Sequence, residues 1–284
     1  MRCPACNESA EPWRTNVYVC SSCGSSRRTT DANLVAASEH YATYYDNLKH
    51  PASPTRARLE EWARALAPYR ASGRLLEVGC GAGHFLEVVR THGFEPWGTE
   101  ISKSALEILG KRGFRVLNGE LTNHDLPPSH FDAIVLFEVI EHLDDPSKYL
   151  AEFRRLLRDG GVLMLTTPNF GSLSRRLLNE RWRVLQPEHR VVFSSRGISL
   201  ALDRAGLRVV SVTSRNLDPL EVLRVLRGRP ISDGRERQTA LDELRRAIAA
   251  RPVLGLIRGV VDKFLNFLGL GDTLVVWAER QSDR

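Results

Sequence analysis

A short stretch near position 80 constrains the fold of this chain more than any other. The stretch 75–78, apolar except for Glu77, leads directly into glycines at alternate positions, Gly79, Gly81 and Gly83, and a helical pattern begins at His84. Glycine lets the backbone turn sharply there, and it lets a ligand approach without meeting a Cβ atom. The following helix directs its N-terminal amides at the occupant of the turn. The stretch therefore predicts a strand, a ligand-binding loop and a helix in succession.

Three further features follow this loop in order. A second strand, 94–99, leads to Glu100, where a carboxylate can accept hydrogen bonds from both hydroxyls of a ribose. A buried strand follows at 131–137, and another at 161–167 comes after a helix. The alternation continues to residue 213. It predicts an α/β fold with a Rossmann-like, doubly wound, mostly parallel sheet that is covered by helices on both faces.

The ordered set of E-V-G-C-G-A-G, a strand-end acid, F-D-A-I-V and G-G-V-L-M-L-T-T-P resembles class I S-adenosylmethionine-dependent methyltransferases, in particular the ubiquinone-biosynthesis O-methyltransferase-like group. The resemblance covers roughly residues 55–215. It implies a seven-stranded sheet whose final strand, 272–279, inserts antiparallel at the sheet edge. The spacing G-x-G-x-G differs from the G-x-G-x-x-G of dinucleotide dehydrogenases, which disfavours a nicotinamide cofactor.

The resemblance also implies where S-adenosyl-L-methionine binds, because ligands of such sheets lie outside the carboxyl ends of the strands. The implied site consists of the glycine loop and the ends of neighbouring strands: Glu77, Gly79, Gly81, Gly83, Glu100, Glu120, Leu121, Phe137 and Glu138. Within this set Glu100 would hold the ribose, and Glu120 or Leu121 would border the adenine. Each polar residue at a strand end has an alternative role as a helix cap or turn former.

A second cluster of functional side chains follows the fourth strand, in E-V-I-E-H. If this stretch forms the first turn of a helix, Glu138, Glu141 and His142 share one face and can hold a divalent metal ion. The motif resembles the metal-binding stretch of ubiquinone-pathway O-methyltransferases and of small-RNA 2′-O-methyltransferases. A distant histidine completes the set in the latter, and His189 is the candidate here. The metal-free route is the favoured one and makes His142 or His189 the catalytic general base, and positioning of the acceptor alone is a further alternative.

The N-terminal region, residues 1–26, carries a different motif. Four of the five cysteines form the C-x-x-C pairs Cys3–Cys6 and Cys20–Cys23, which match tetrahedral zinc coordination. A segment this short cannot bury enough core to fold alone, so we expect a structural zinc ion to stabilise a four-cysteine ribbon. Two disulfides are the alternative. The sequence begins without the pattern of a secretory leader, so we expect a cytoplasmic protein and reduced cysteines.

Three further regions follow the ribbon: a helical lid region at 27–72 with an aromatic stretch at 40–46, a cofactor-binding domain at 73–215, and C-terminal helices with the final strand at 216–284. The insertion 170–189 is basic and aromatic, as expected of a loop over the acceptor. The apolar segment 254–268 is expected either to close the acceptor pocket or to make a peripheral membrane contact. No run of about eighteen apolar residues is present, so no spanning helix is expected.

These features predict methyl transfer to an oxygen of a small-molecule or glycan acceptor. The alternative is an RNA methyltransferase that grips RNA with the ribbon and an arginine-rich surface. The net charge of +6 agrees with an anionic partner. Nucleic acid is the less favoured acceptor because few aromatic residues accompany the arginines, and stacking on bases needs them.

Overall fold

The structure is a computed structural model of the chain, and it describes residues 1–29, 53–182, 184–216 and 263–282 together with Val222, Val225, Arg227 and Val260. The aromatic stretch 40–46 and most of the region of the predicted C-terminal helices, including most of the apolar segment 254–268, lie outside the described residues. In chain order the elements are β1 (Ala10–Arg14), β2 (Val17–Cys20), β3 (Ser26–Arg28), α1 (Ser53–Leu66), β4 (Arg74–Val78), α2 (His84–Thr91), β5 (Glu95–Glu100), α3 (Lys103–Lys111), β6 (Arg115–Asn118), β7 (Phe131–Phe137), α4 (Pro146–Leu156), β8 (Leu157–Pro168), α5 (Leu173–Leu178), β9 (Val191–Val192), α6 (Ser195–Arg204), β10 (Leu207–Arg215) and β11 (Thr273–Arg280).

The larger sheet has seven strands in the order β10-β11-β8-β7-β4-β5-β6. The pairs from β8 through β6 are all parallel, which confirms the predicted doubly wound architecture. Strand β11 is antiparallel, as expected, but the prediction that it lies at the sheet edge is wrong. It inserts between β8 and β10, and β10 forms the edge. The position of β11 depends on pairing between distant segments, which local periodicity does not record.

The central strand β7 shows why both faces of this sheet are covered. Its successive side chains point to opposite faces, and Ile134 and Leu136 belong to one hydrophobic core while Ala133 and Val135 belong to another. Helices α4 and α6 contribute to the first core, and α1 and α2 contribute to the second. A strand buried on both faces has a continuous apolar run rather than an alternating one.

One charged residue interrupts this apolar run. Asp132 is fully buried, and its carboxylate accepts hydrogen bonds from the backbone amides of Ala71 and Gly73 and from the guanidinium of Arg158 at 2.8, 2.6 and 2.8 Å. Burial by itself raises the pKa of Asp132, but these hydrogen bonds lower the pKa further, so that the net shift is downward. The buried carboxylate thus fixes the turn that enters β4.

The smaller sheet has the order β1-β2-β3-β9 and joins the N-terminal segment to the large domain. Strands β1 and β2 form an antiparallel hairpin within the ribbon. Strand β3 runs two residues beyond the predicted boundary at residue 26, and it pairs with β9 through Ser26–Val192 and Arg27–Val191. The partner strand lies far along the chain, so the local sequence around residue 26 does not reveal this pairing.

Candidate active site

The loop after β4 has the backbone conformation that its glycines suggested. Gly79, Gly81 and Gly83 all have positive φ angles, of 69°, 51° and 75°. A Cβ atom on Gly79 would lie 2.8 Å from a methyl group of Val139, so glycine is required there for space as well as for conformation. Gly83 directly precedes α2, so the loop lies at the N-terminus of that helix. The first amides of α2 therefore border the loop, as an anionic group of a ligand requires.

Glu100 ties this loop to the end of β5. Its carboxylate accepts from the amide of Gly81 at 2.7 Å and from the amides of Ile101 and Ser102 at 2.8 Å each. The side chain is 3% exposed. Glu100 therefore orders the glycine loop, and this role adds to the predicted contact with a ribose.

Glu77 offers a second carboxylate directly before the loop. It is buried, and its Oε2 atom has no hydrogen-bond partner among the described residues. Burial, and to a lesser degree the negative charge of Glu100, raise the pKa of Glu77. Native proteins pair nearly all buried polar atoms, so this oxygen is available to a donor group of a ligand that binds in the loop.

The remaining predicted cofactor residues border the same ends of the strands. The carboxylate of Glu120 accepts from the hydroxyl of Tyr149 at 2.6 Å, and Leu121 is fully buried in the larger core. The ring of Phe137 is stacked against Trp62 and meets Phe85 edge-on, with centroids 4.7 and 5.0 Å apart. Their contacts with the cofactor stay predictions.

The segment after β7 differs from the helical turn expected for E-V-I-E-H. The structure has a 3-10 turn at Ile140–His142, and Glu138 lies outside it with a φ angle of 54°. The prediction that Glu138, Glu141 and His142 share one helical face is therefore wrong. Part of the Glu138 side chain is exposed to solvent, and protein surrounds the rest of it. The loss of water around the carboxyl group raises the pKa of Glu138 to about 7, although a hydrogen bond with Thr166 acts in the opposite direction.

Glu141, His142 and His189 come together nevertheless. One ligand atom from each lies within 4.8 Å of the others, and the two imidazole rings are 4.7 Å apart between centroids. Glu141 is 1% exposed, and its Oε2 atom accepts from the hydroxyl of Thr167 at 3.0 Å. Its Oε1 atom is buried, has no hydrogen-bond partner among the described residues, and lies 4.0 Å from Nε2 of His142.

Backbone carbonyls orient both histidine rings. Nδ1 of His142 lies 3.1 Å from the carbonyl oxygen of Glu188, and Nδ1 of His189 lies 2.7 Å from that of Val184. A carbonyl oxygen only accepts, so we assign a proton to Nδ1 of each ring. Histidine ligands of metal ions characteristically make this outer hydrogen bond. The carboxylate and the two rings thus form a set of side chains that can hold a metal ion.

Two residues of this site were missed by the sequence reasoning. Thr167 binds Glu141, and the backbone amide of Arg190 donates to the carbonyl of Glu141 at 2.7 Å. The rule that polar residues at strand ends line the site could have found Thr167, because β8 lies beside β7. No local pattern marks Arg190.

The four N-terminal cysteines form a separate cluster. Their sulfur atoms all lie within 4.8 Å of one another, with Cys3–Cys23 and Cys6–Cys20 each 3.5 Å apart. A hydrogen bond from the Cys3 thiol lowers the pKa of Cys23 to about 4, and the same bond raises the pKa of Cys3. Zn–S bonds of about 2.3 Å in a tetrahedron place sulfurs about 3.8 Å apart, so the cluster fits a zinc ion. The fifth cysteine, Cys80, lies in the glycine loop against Gly98.

Comparison with known proteins identifies the family. The model of the family described as "Methyltransferase domain" matches residues 51–212, more than half of the chain. The chain therefore belongs to this methyltransferase family. The resemblance to class I S-adenosylmethionine-dependent methyltransferases, predicted from the motifs, is confirmed. No helix within the described ranges is long and apolar enough to span a membrane.

Individual relatives show how far this likeness extends. A probable S-adenosylmethionine-dependent methyltransferase of Mycolicibacterium smegmatis is 31% identical over 144 residues, which are 50% of this chain and 54% of that protein. A ubiquinone biosynthesis O-methyltransferase of Thiobacillus denitrificans is 29% identical over 129 residues, 42% of this chain and 53% of its own length. The chain thus spans about half the length of these relatives. The crystal structure of a SAM-dependent methyltransferase from Archaeoglobus fulgidus covers 85% of this chain and 100% of its own, with a TM-score of 0.56 at 18% identity, which shows the fold.

Proposed function

We propose that the chain transfers the methyl group of S-adenosyl-L-methionine to an oxygen atom of a small-molecule or glycan acceptor. The main support is the placement of two sets of polar groups at the carboxyl ends of β4, β5, β7 and β8. The glycine loop, the orphaned oxygen of Glu77 and the first amides of α2 fit the charged methionine end of the cofactor. Glu141, His142 and His189 lie at the end of the strand next to β4.

We further propose that Glu141, His142 and His189 hold a divalent metal ion. The donor set fits such an ion because the buried Oε1 atom of Glu141 faces His142, and because both Nδ1 atoms are engaged by carbonyls. When bound, the ion would hold an acceptor hydroxyl and lower its pKa. Thr167 orients the carboxylate of Glu141, and the carbonyls of Glu188 and Val184 orient the two rings. The metal-free alternative uses one of the histidines as a general base.

Contacts of the ribbon favour a small acceptor over RNA. The ribbon places β3 against β9, and it packs Trp13 and Val19 against the core that contains Phe170 and Trp182. This face of the ribbon is therefore occupied within the chain and is unavailable to nucleic acid. The ubiquinone biosynthesis name of one relative agrees with an oxygen acceptor.

The cysteine cluster serves structure rather than catalysis in this proposal. Four cysteine ligands leave no open coordination position on a zinc ion.

Peripheral membrane contact is proposed as well, because Phe264 and Phe267 are exposed beside Lys263 at the end of the apolar segment. An apolar patch next to a cation suits the surface of an anionic bilayer.

Release of S-adenosylhomocysteine tests the proposal. The protein is incubated with the cofactor and with separate pools of phenols, glycans and RNA. We expect product with a hydroxyl-bearing small molecule or glycan, and a requirement for Mg²⁺ or Mn²⁺ after chelation, with the zinc content of the ribbon measured in parallel. Glu141→Gln, His142→Ala and His189→Ala should then lose activity alike. Loss in a histidine variant alone, without chelator sensitivity, would support the general-base route, and turnover of RNA alone would contradict the proposed acceptor.

A further inference from the structure

The segment 184–190, which we call the His189 loop, is held from two sides. On the inner side the amide of Arg190 donates to Glu141, and the carbonyl of Glu188 accepts from His142. On the outer side the ribbon holds the same segment. The backbone amide of Arg28 donates to the carbonyl of Arg190 at 2.8 Å, and its guanidinium donates to the carbonyl of Leu185 at 2.9 Å. The peptide units of Arg190 thus connect the ribbon to Glu141.

The ribbon itself is anchored close to its cysteines. The hydroxyl of Ser194 donates to the carbonyl of Cys23, and the amide of Ser194 donates to the hydroxyl of Ser25 at 3.1 Å. Ser25 and Ser194 are buried, and a Cβ atom on Gly197 would overlap the hydroxyl of Ser25. Hydrogen bonds therefore connect the cysteine cluster to β3 and its neighbouring residues, and connect β3 in turn to the His189 loop.

We propose that the ribbon is a positioning part of the active site, with Arg28 as the residue that holds the His189 loop so that His189 faces Glu141 and His142. This inference rests on the proposed role of His189. The bond to Leu185 engages the loop next to Val184, whose carbonyl fixes the ring of His189. A purely stabilising role of the ribbon does not account for the hydrogen bond between the partly buried guanidinium of Arg28 and the His189 loop. A zinc ion held by the four cysteines would fix the ribbon and, through Arg28, the position of the His189 loop.

Arg28 and its neighbour Arg27 provide a matched pair for the test. Both lie on β3, but successive side chains of a strand point to opposite faces, and Arg28 is the one that donates to Leu185. The variants are Arg28→Ala, the conservative Arg28→Lys, and Arg27→Ala as the control, each in the full chain. Zinc content and cofactor affinity are measured first, since both should equal those of the wild type if the ribbon and the glycine loop remain folded.

Hydrogen exchange followed by mass spectrometry measures the protection of the backbone amides in the His189 loop. Nitrogen NMR determines which ring nitrogen of His189 carries the proton. We expect Arg28→Ala to speed exchange in 184–190 about tenfold and to shift His189 from the Nδ1–H form to a mixture of tautomers. Arg28→Lys should restore most of the protection, and Arg27→Ala should match the wild type. Mn²⁺ affinity at the proposed metal site should fall about tenfold in Arg28→Ala alone.

Two outcomes would overturn the inference: unchanged exchange and tautomer in Arg28→Ala, or equal changes in Arg27→Ala. Neither readout needs turnover or bound Mn²⁺. A wild-type protein that binds no Mn²⁺ would contradict the proposed metal site, while the exchange data would still decide the role of Arg28.

Discussion

Replacing Glu100 by glutamine tests whether one carboxylate both orders the glycine loop and binds the cofactor. Among the described residues, Glu100 accepts hydrogen bonds from three backbone N–H groups, on Gly81, Ile101 and Ser102. A glutamine amide keeps one oxygen, but its NH₂ group must face a donor on the other side. If the oxygen stays with Ile101 and Ser102, the amide of Gly81 loses its acceptor.

The size of the effect follows from these contacts. One buried donor without a partner costs about 1–3 kcal/mol, and two charge-assisted bonds that become neutral lose about 1 kcal/mol each. We therefore expect Glu100→Gln to lower the free energy of unfolding by about 3–5 kcal/mol, which lowers Tm by about 10 °C for a domain of this size. Loss of the ribose contact should weaken S-adenosylhomocysteine binding by about 1.5–3 kcal/mol, a ten- to hundredfold rise in Kd.

Thermal unfolding and calorimetric titration with S-adenosylhomocysteine measure the two effects separately. Glu95→Gln is the matched control, since Glu95 begins the same strand but is exposed, and both quantities should stay near wild type. A Glu100→Gln variant with wild-type Tm would show that the carboxylate does not hold the loop. Wild-type affinity in a folded variant would remove Glu100 from the cofactor site.

Three further predictions concern the loop, the ribbon and the buried aspartate. Gly79→Ala should weaken cofactor binding at least tenfold, because its Cβ would meet Val139 at 2.8 Å; Gly113→Ala, which has a similar positive φ angle but no atom within 4 Å of the added Cβ, is the control in the same titration and should bind normally. The Cys3→Ser, Cys6→Ser double variant should lose about one zinc per chain in elemental analysis while Cys80→Ser keeps it, and an unchanged zinc content would exclude the four-cysteine site. Asp132→Asn should lower the free energy of unfolding at pH 7 by about 2–4 kcal/mol, since Arg158 and two backbone amides lose a charged acceptor. Because the pKa of Asp132 is lowered in the folded protein, its stabilising contribution is present above the unfolded pKa of about 3.9 and is lost as the pH falls through the folded pKa. Urea unfolding should therefore show the difference between wild type and variant shrinking below about pH 4, and a difference independent of pH would refute this assignment.

The sequence by itself determined the features that arise from local chemistry. The positive φ angles of the glycine loop, the two-sided burial of β7 and the pairing of cysteines in two knuckles are each encoded within a few neighbouring residues. Periodicity distinguishes a strand buried on both faces from an exposed one, and glycine marks positions where a side chain cannot fit. These signals were sufficient to predict the doubly wound sheet and the family.

Tertiary structure decided which distant residues meet. It inserted β11 between β8 and β10, replaced the expected helical turn after β7 by a 3-10 turn, and brought His189 to Glu141 and His142. It also paired β3 with β9, so that Arg28 reaches the His189 loop. Strand pairing and side-chain convergence across long separations depend on how whole elements pack, and no period in the local sequence carries that information.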